Sequence, residues 1–474
     1  MNQEQFDRTF QFQPPPKIAS KRKKQLSSIF DCLSGPEKLF KFIISFFPIL
    51  SWLPEYDYKT NLLGDISAGL TVGIVHVPQS IAYAILTGVD PVYGLYTSFF
   101  GVILYMIFGT SKYVSIGSFA IISLMTGVSC REIYEQIERD FIAAEIRYVD
   151  QAHHQHLNFD FNNLTDAVQK VQVSHEELVQ LVTLTSGIIQ IIMALLRVEF
   201  MASYLSDQLV SGFCTGAAVH VVAVQINKLL QVDVAKASGP GYLIKYMYDF
   251  FNNLYTTNTA AMTISICSFI FLYLGKDIIG TKLKKKLPAP IPFELLLVII
   301  STFISFWFSF STTQNIEIVK NVPIGLPIAK LPRLDLLSYV IGPSFEIAFV
   351  VVALHLSMCK VFNRKLASTT DNNQELYALG IVASLSSFFN SYPISSSLGR
   401  SMLNVECGAK TQLSSLFTAA LLLVVILFLG PLLSTLPMCC LAVIIIYSMK
   451  LIWIVTFIAT VVLNVMEGLA VSVI

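Results

Sequence analysis

The chain has 474 residues, of which 54% are hydrophobic and 13% charged, and its formal net charge is +1. Soluble domains carry about 25% charged residues, so this chain has too few charges to cover a surface that faces water. A nearly neutral chain also gives no electrostatic reason for a nucleic-acid partner. The eight cysteines are scattered and mostly lie in apolar runs, so they indicate neither a disulfide framework nor a metal site. This composition predicts a membrane protein whose excess apolar surface faces lipid.

Residues 1–60 begin with a polar leader in which Pro14–Pro16 precede the basic cluster Lys21–Lys24. This composition is typical of a disordered cytoplasmic region, and it lacks the apolar stretch of a signal peptide. We therefore predict a basic cytoplasmic N-terminal region, followed by a transmembrane domain over residues 61–474.

Apolar segments recur along the transmembrane region, and several approach the roughly 20 residues that a helix needs to cross hydrocarbon. We therefore predict an all-α polytopic membrane protein. In chain order the segments are Ile66–Leu86, Val92–Phe108, Val179–Leu196, Ala260–Leu274, Phe293–Phe310, Tyr339–Met358, Leu416–Leu433, Leu436–Met449 and Leu451–Leu463.

The polar connections predict the orientation. Lys282–Lys286 and the cluster of Lys360, Arg364 and Lys365 are basic, so they are expected on the cytoplasmic side. The longest polar insert, Arg131–Glu177, then falls outside as an extracellular loop. It contains Asn163, which begins an N-glycosylation sequon. The prediction is a multi-pass protein of the plasma membrane that is glycosylated at Asn163.

The same insert carries His153, His154 and His156. A metal site needs ligands that converge in a fixed geometry, and no nearby cysteine or carboxylate pattern completes one. We interpret these histidines as part of a solvated loop and predict no metal and no cofactor. No nucleophile with a neighbouring base, phosphate loop or metal motif points to an enzyme.

Two short segments, Gly117–Gly127 and Ser395–Asn404, each follow an extended-looking stretch and begin with small residues. A helix that starts inside the membrane directs unpaired backbone N–H groups and a positive dipole end at the midplane, which suits an anion. The second segment adds hydroxyl groups and Arg400. An arginine in an apolar stretch is a functional candidate, and the alternative is a structural pair with a carboxylate or a snorkelling side chain.

Separated motifs make the chain resemble the sulfate permease family of anion transporters. The matching stretches, in order, are Gly64–Ala84, Pro91–Tyr96, Leu287–Glu294, Asn372–Leu376 with Gly380, Ser387–Phe389, Arg400–Ser401 and Gly408–Gln412. The resemblance implies two inverted seven-segment repeats divided into a core domain and a gate domain. It also implies a homodimer in the lipid bilayer, with small anions as substrates: chloride, bicarbonate, sulfate or oxalate.

The resemblance further implies an anion site between the two short helices. By its motifs, Gln79 and Tyr83 on the first helix contribute to this site, with Phe119 at the first short helix. At the second short helix it assigns Ser397, Leu398, Gly399 and Arg400 to the site.

Several positions depart from the family pattern. Gly399 replaces a serine of many animal members. Gln79 replaces a carboxylate of proton-coupled bacterial relatives, which favours exchange or uniport over proton symport. His76 and His355 are also unusual, and either imidazole could add pH dependence. A packed polar residue is the alternative for each.

The C-terminal part departs further. After Lys450 the family's connector is missing, so the last segments are expected to be shortened, and the family's C-terminal STAS domain is expected to be absent. The leading hypothesis is a secondary active anion transporter. The alternatives are an anion channel, or a truncated member that does not transport and instead modulates a full-length relative as its dimer partner.

Overall fold

The computed structural model describes residues 46–154, 173–200, 207–234, 241–280, 282, 291–319 and 322–447. The chain divides into two compact units, Met1–Tyr56 and Asp57–Ile474. The described part of the first unit contains one short helix, Ile49–Trp52. All elements discussed below belong to the second unit.

The second unit is built from helices, with two very short strands. In chain order they are α1 Tyr58–Thr87, α2 Pro91–Phe108, β1 Ile116–Gly117, α3 Ala120–His154, α4 His175–Leu195, α5 Asp207–Leu230, α6 Tyr242–Asn252, α7 Thr259–Leu272, α8 Phe293–Phe308, α9 Leu337–Leu366, α10 Asn372–Ser387, β2 Ser395–Ser396, α11 Leu398–Glu406, α12 Ser414–Val424 and α13 Met438–Tyr447. Helix α7 continues as a π-helix over Tyr273–Gly280, and α12 continues through π and 3-10 turns to Leu433.

The prediction of an all-α polytopic fold is confirmed. Among the described residues, seven helices are long and apolar enough to cross a membrane. The predicted apolar segments up to residue 447 all coincide with helices of the structure. The segment Leu451–Leu463 lies outside the described residues.

The first part of the predicted polar insert Arg131–Glu177 is helical. Helix α3 does not stop after the short apolar segment but continues to His154. Cys130, Ile133 and Ile137 recur at helical spacing and are all buried, so this part of α3 has an apolar face against the protein. The many charged residues of this stretch hide that periodicity in the sequence.

Close backbone approaches hold the long helices together. A Cβ atom on Gly69 of α1 would lie 2.2 Å from the carbonyl oxygen of Ser414 on α12. A Cβ atom on Gly380 of α10 would lie 2.8 Å from the carbonyl oxygen of Gly187 on α4. Small residues allow this proximity between helices, where van der Waals packing supplies much of the attraction.

The contacts define two groups of helices. In one group, α1 packs against α2, α3, α11 and α12, and α4 packs against α3, α9 and α10. In the other, α7 packs against α5 and α8, and this group touches the first where α5 meets α3 and α9 and where α8 meets α1. This grouping matches the core and gate domains that the resemblance implies.

The strands β1 and β2 pair antiparallel, with Ile116 opposite Ser396 and Gly117 opposite Ser395. Each strand leads directly into a helix, β1 into α3 and β2 into α11. The antiparallel pairing brings the N-termini of these two helices together from opposite directions, as inverted repeats require. The centre of the fold is therefore the place where two helices begin.

Candidate functional site

The two helix starts have matching backbone roles. The carbonyl oxygen of Phe119 accepts the first helical hydrogen bond of α3 from Ser123, at 2.9 Å. The carbonyl oxygen of Ser397 accepts the corresponding bond of α11 from Ser401, at 3.0 Å. Phe119 and Ser397 therefore occupy equivalent positions at the two helix starts.

The start of α11 is not capped by its own side chain. Ser397 is buried and its hydroxyl makes no capping hydrogen bond. The N–H groups of Leu398, Gly399 and Arg400 precede the first helical bond, so they have no acceptor within the helix. Gly399 is exposed, and a Cβ atom there would meet no atom within 4 Å. These donors therefore face open space, where a small anion could approach the backbone.

Arg400 lies directly beneath this turn, with 1% of its surface exposed. One terminal nitrogen donates to Oε1 of Gln79 at 3.1 Å, and the other donates to the carbonyl oxygen of Ser118 at 2.7 Å. Its Nε has no hydrogen-bond partner in the described part of the chain. Both partners are neutral oxygens, so the guanidinium keeps its positive potential at the site instead of being neutralised by a carboxylate.

Gln79 and Tyr83 lie one turn apart on α1, and both are buried. A chain of hydroxyl groups fixes α1 beside the site: Ser80 lies 2.8 Å from Ser98 of α2, which lies 3.1 Å from Ser118. Ser80 also donates to the carbonyl oxygen of His76. The structure thus brings Gln79 to Arg400 through a network that the sequence analysis did not identify.

His76 belongs to the same place. Its ring lies against Gly117, where a Cβ atom would be 2.4 Å from Nε2 of His76 and 3.6 Å from a terminal nitrogen of Arg400. The imidazole is fully buried, and neither ring nitrogen has a hydrogen-bond partner within the described ranges. His76 is therefore a neighbour of the candidate site.

His355 lies in a different cluster. Its Nε2 is 2.6 Å from Oε2 of Glu375, which also accepts a hydrogen bond from the Tyr105 hydroxyl at 2.7 Å. The other oxygen of Glu375 accepts from the backbone N–H groups of Thr110 and Ser111, at 2.6 and 3.1 Å. His355 is therefore a partner of a structural carboxylate and not a ligand of the candidate anion site.

Three ligand-type atoms of His355, Cys359 and Glu375 lie within 4.8 Å of one another and are buried. Both oxygens of Glu375 are already occupied as hydrogen-bond acceptors. The cluster therefore fits a hydrogen-bonded carboxylate better than a metal site, whose ligand atoms must be free to coordinate.

Further polar contacts hold the segment before β1. Ser115 accepts from the N–H of Ser397 at 3.1 Å and donates its own N–H to the hydroxyl of Ser401 at 2.9 Å. The Gln412 amide donates to the carbonyl oxygens of Ser111 and Val114. Gln412 and Glu375 stood inside motifs of the resemblance, but single polar residues in a sequence do not reveal which backbone groups they will support.

Asn163 and His156 lie outside the described residues, as do the side chains of His153 and His154. The described part of the site consists of two helix N-termini, a serine hydroxyl, a glutamine and a buried guanidinium. Such a set offers hydrogen-bond donors and positive potential without a carboxylate at the site itself. It is suited to hold a small anion that can also leave.

Comparison with known proteins identifies the family. The profile of the sulfate permease family matches residues 62–472. The chain is 35% identical to sulfate permease family protein 3 of Caenorhabditis elegans, over 92% of this chain and 58% of the relative. It is 35% identical to prestin of Danio rerio, over 93% of this chain and 60% of the relative. It is 33% identical to the sulfate transporter of Homo sapiens, over 94% of this chain and 61% of the relative.

Solved structures show the same fold. A structure of SLC26A9 is similar with a TM-score of 0.75 and 26% identity, over 94% of this chain and 70% of that one. The transmembrane domain of the cyanobacterial bicarbonate transporter BicA is similar with a TM-score of 0.67 and 19% identity, over 88% of this chain and 95% of that one. The chain spans roughly three fifths of the length of the curated relatives it matches. It belongs to the sulfate permease family of membrane anion transporters.

Proposed function

We propose that this chain is a secondary active transporter that exchanges small anions, with chloride, bicarbonate, sulfate and oxalate as the candidate substrates. The observation that carries the proposal is the position of Arg400. The guanidinium is buried beside the start of α11, held by Gln79 and the carbonyl oxygen of Ser118, with open space at Gly399. An anion placed there gains from backbone N–H groups and positive potential together.

The anion ligands we propose are the residues around that space. The side-chain hydroxyl of Ser397 and the N–H groups of Leu398 and Gly399 contact the ion, while Arg400 supplies positive potential from beneath. Gln79, Tyr83 and Phe119 line the opposite side. Phe119 is half-buried, so its ring can cover the ion and present a positively polarised edge.

Transport requires the site to face each side of the membrane in turn. We propose that α1–α4 and α9–α12 move as the core, against a gate that includes α5, α7, α8 and α13. The site lies entirely within the core group, because α1, α3 and α11, which carry or begin at its residues, all belong to that group. Movement of the core therefore carries an intact site between the two sides.

The names of the relatives support the substrate class. They include sulfate transporters and a bicarbonate transporter. We propose a multi-pass protein of the plasma membrane, with a cytoplasmic N-terminal region over residues 1–60 and an extracellular segment containing Asn163. We also propose a homodimer in the bilayer.

Flux through the purified chain tests the proposal. The protein is reconstituted in liposomes, and uptake of labelled sulfate and labelled chloride is measured with and without unlabelled anion inside. An exchanger gives saturable uptake that the trapped anion stimulates. Arg400→Gln should lower this uptake at least about tenfold, because it removes the positive potential at the site.

Arg139→Gln is the matched control, since Arg139 is exposed on α3, 4.0 Å from Glu135, and should leave flux unchanged. Normal kinetics in the Arg400 variant would remove Arg400 from the site. No flux from reconstituted, folded wild-type protein would contradict transport by this chain alone.

A further inference from the structure

A narrow seam separates α1 of the core from α5 and α13. It is lined by Ala82 and Ile85 of α1, Gln225 and Lys228 of α5, and Leu441 and Ala442 of α13, among others. Most of this lining is apolar. Lys228 and Gln225, three residues apart and therefore on the same face of α5, are the polar exceptions among these six.

Neither polar group has a hydrogen-bond acceptor among the residues that the structure describes. Gln225 is 1% exposed, and its amide nitrogen Nε2 has no hydrogen-bond partner. Lys228 is half-buried within an apolar span of α5. The carboxylate of Glu317 acts on Lys228 electrostatically, but the two do not form a close ion pair. A buried amide donor without a partner is unusual in a folded protein and needs an explanation.

A small anion would satisfy both groups. An ammonium and an amide N–H on one helix face present positive charge and a hydrogen-bond donor in the same direction. No hydrogen bond from either group to a carboxylate is found in the part of the chain that the structure describes. The arrangement therefore offers donors to a ligand that brings its own negative charge.

The seam adjoins the site already described. Ala82 lies three residues after Gln79 on α1, so a ligand at the seam is about one helical turn from Gln79. From Gln79, the seam lies toward the end of α1 at Thr87. This is the side on which α3 and α4 are connected. An anion moving along this face would pass from Lys228 to Arg400.

In this conformation the lining side chains leave no room for an ion in the seam. Helix α1 belongs to the group of helices that we propose to move, whereas α5 and α13 belong to the gate. The seam is therefore a boundary that must change when the core moves. An ion could enter between these helices only in the conformation that separates them.

We propose that Lys228 and Gln225 form a second anion-binding site, which an anion occupies on its way between Arg400 and the side of the membrane where α1 ends. This proposal rests on the proposed transport function. It adds a site that attracts anions from one side only. The ligand class is the same small anions that the Arg400 site accepts.

Uptake measured separately from each side tests the proposal. Labelled sulfate or chloride is supplied to oriented vesicles on the side where α1 ends or on the opposite side. Lys228→Cys should raise the anion concentration for half-maximal flux at least about tenfold from the first side. From the opposite side the change should be less than about twofold, since the Arg400 site is unaltered. Lys228→Arg should keep the wild-type values, and Gln225→Leu should shift them in the same direction as Lys228→Cys.

Chemical rescue identifies the charge as the cause. A methanethiosulfonate reagent that carries an ammonium group should restore flux in Lys228→Cys, and one that carries a sulfonate should not. Lys228→Met treated with the same reagents is the control for the native cysteines. A lysine that only reaches toward the membrane surface would leave both half-maximal concentrations unchanged.

The outcomes separate the two proposals. Wild-type flux with unchanged values in Lys228→Cys and Gln225→Leu would overturn the seam site and leave the Arg400 site standing. Absence of flux from folded wild-type protein would overturn transport by this chain and the seam site with it.

Discussion

Gly117 is the point where β1, His76 and Arg400 meet. A Cβ atom there would lie 2.4 and 2.6 Å from two atoms of the His76 ring. The ring is fully buried, so it has little freedom to move aside. We expect Gly117→Ala to destabilise the protein by about 1–3 kcal/mol through overpacking, seen as a lower midpoint of thermal unfolding in detergent.

The His76→Ala background is the control for that contact. Removing the ring takes away the two atoms that the new methyl group would strike, so the added cost of Gly117→Ala should fall. The backbone strain of the left-handed region, φ +150° at Gly117, would remain. An equal cost of Gly117→Ala in both backgrounds would contradict the packing of His76 against β1.

Gly399 offers the opposite situation, because nothing lies within 4 Å of the position its Cβ would take. A leucine there meets no protein atom at its first carbon, but it occupies the open space beside the N–H groups of α11. We expect Gly399→Leu to lower sulfate flux at least about tenfold while shifting the unfolding midpoint by less than about 2 °C, in line with an open surface position.

Gly342→Leu is the matched control, since Gly342 is also exposed, with no described atom within 4 Å of its Cβ position, and lies on α9. It should leave flux and stability unchanged. Normal sulfate flux in Gly399→Leu would show that the anion does not use this space.

At the scale of elements, hydropathy predicted the apolar helices and missed α5 and α10. Helix α5 contains His220, Gln225 and Lys228, and α10 begins with amides and Glu375. Such residues lower the hydropathy of a segment. Helix α10 is covered by α2 and α4, so it does not need to be apolar throughout, whereas α5 is apolar enough to cross a membrane although little of it is buried. The pairing of β1 with β2 was also invisible, because two-residue strands have no readable period and their partners lie far apart in sequence.

The candidate site could be predicted only in part, because the sequence does not show which residues lie side by side in the fold. The resemblance supplied residue identities, and the structure brings Gln79, Phe119, Ser397 and Arg400 to one place. The resemblance could not reveal that His355 contacts Glu375 and lies outside the candidate site. Two histidines of similar sequence character have different surroundings because one faces β1 and the other faces α10.

Glu375 joins three elements, since it accepts hydrogen bonds from Tyr105 of α2, His355 of α9 and the loop at Thr110. Glu375→Gln replaces one acceptor oxygen by an NH2 group that faces these donors. We expect a loss of at least about 3 kcal/mol in the free energy of unfolding, because buried partners lose their acceptor. Thermal unfolding in detergent measures it.

Glu132→Gln is the matched control, because Glu132 is exposed on α3 and should change stability little. Since the Thr110 loop leads into β1, Glu375→Gln should also lower anion flux. Equal unfolding midpoints for the Glu375 and Glu132 variants would contradict the carboxylate as an anchor of this loop.

At the scale of the whole molecule, the fold has a defined polarity. Helix α1 ends at Thr87, whose carbonyl oxygen lies 2.9 Å from Nε2 of His175 at the start of α4. The chain between α3 and α4, which includes Asn163, is therefore attached on the side where α1 ends. The seam at Lys228 lies toward the same side. The orientation of α1 in the membrane therefore determines the side of both Lys228 and the segment that contains Asn163.

Glycosylation at Asn163 tests that orientation. With a cytoplasmic N-terminal region, α1 ends outside, and the sequon Asn163–Thr165 is exposed to the glycosylation machinery. Enzymatic removal of N-glycans should increase the gel mobility of the wild-type chain expressed in animal cells. Asn163→Gln and Thr165→Ala should migrate at the deglycosylated position without treatment, whereas Thr165→Ser keeps the sequon and should still shift.

A wild-type chain that reaches the plasma membrane and never shifts would contradict an extracellular Asn163. With labels that reach only one side, a cytoplasmic signal at this segment would reverse the assignment, and anions at Lys228 would then enter from the cytoplasm.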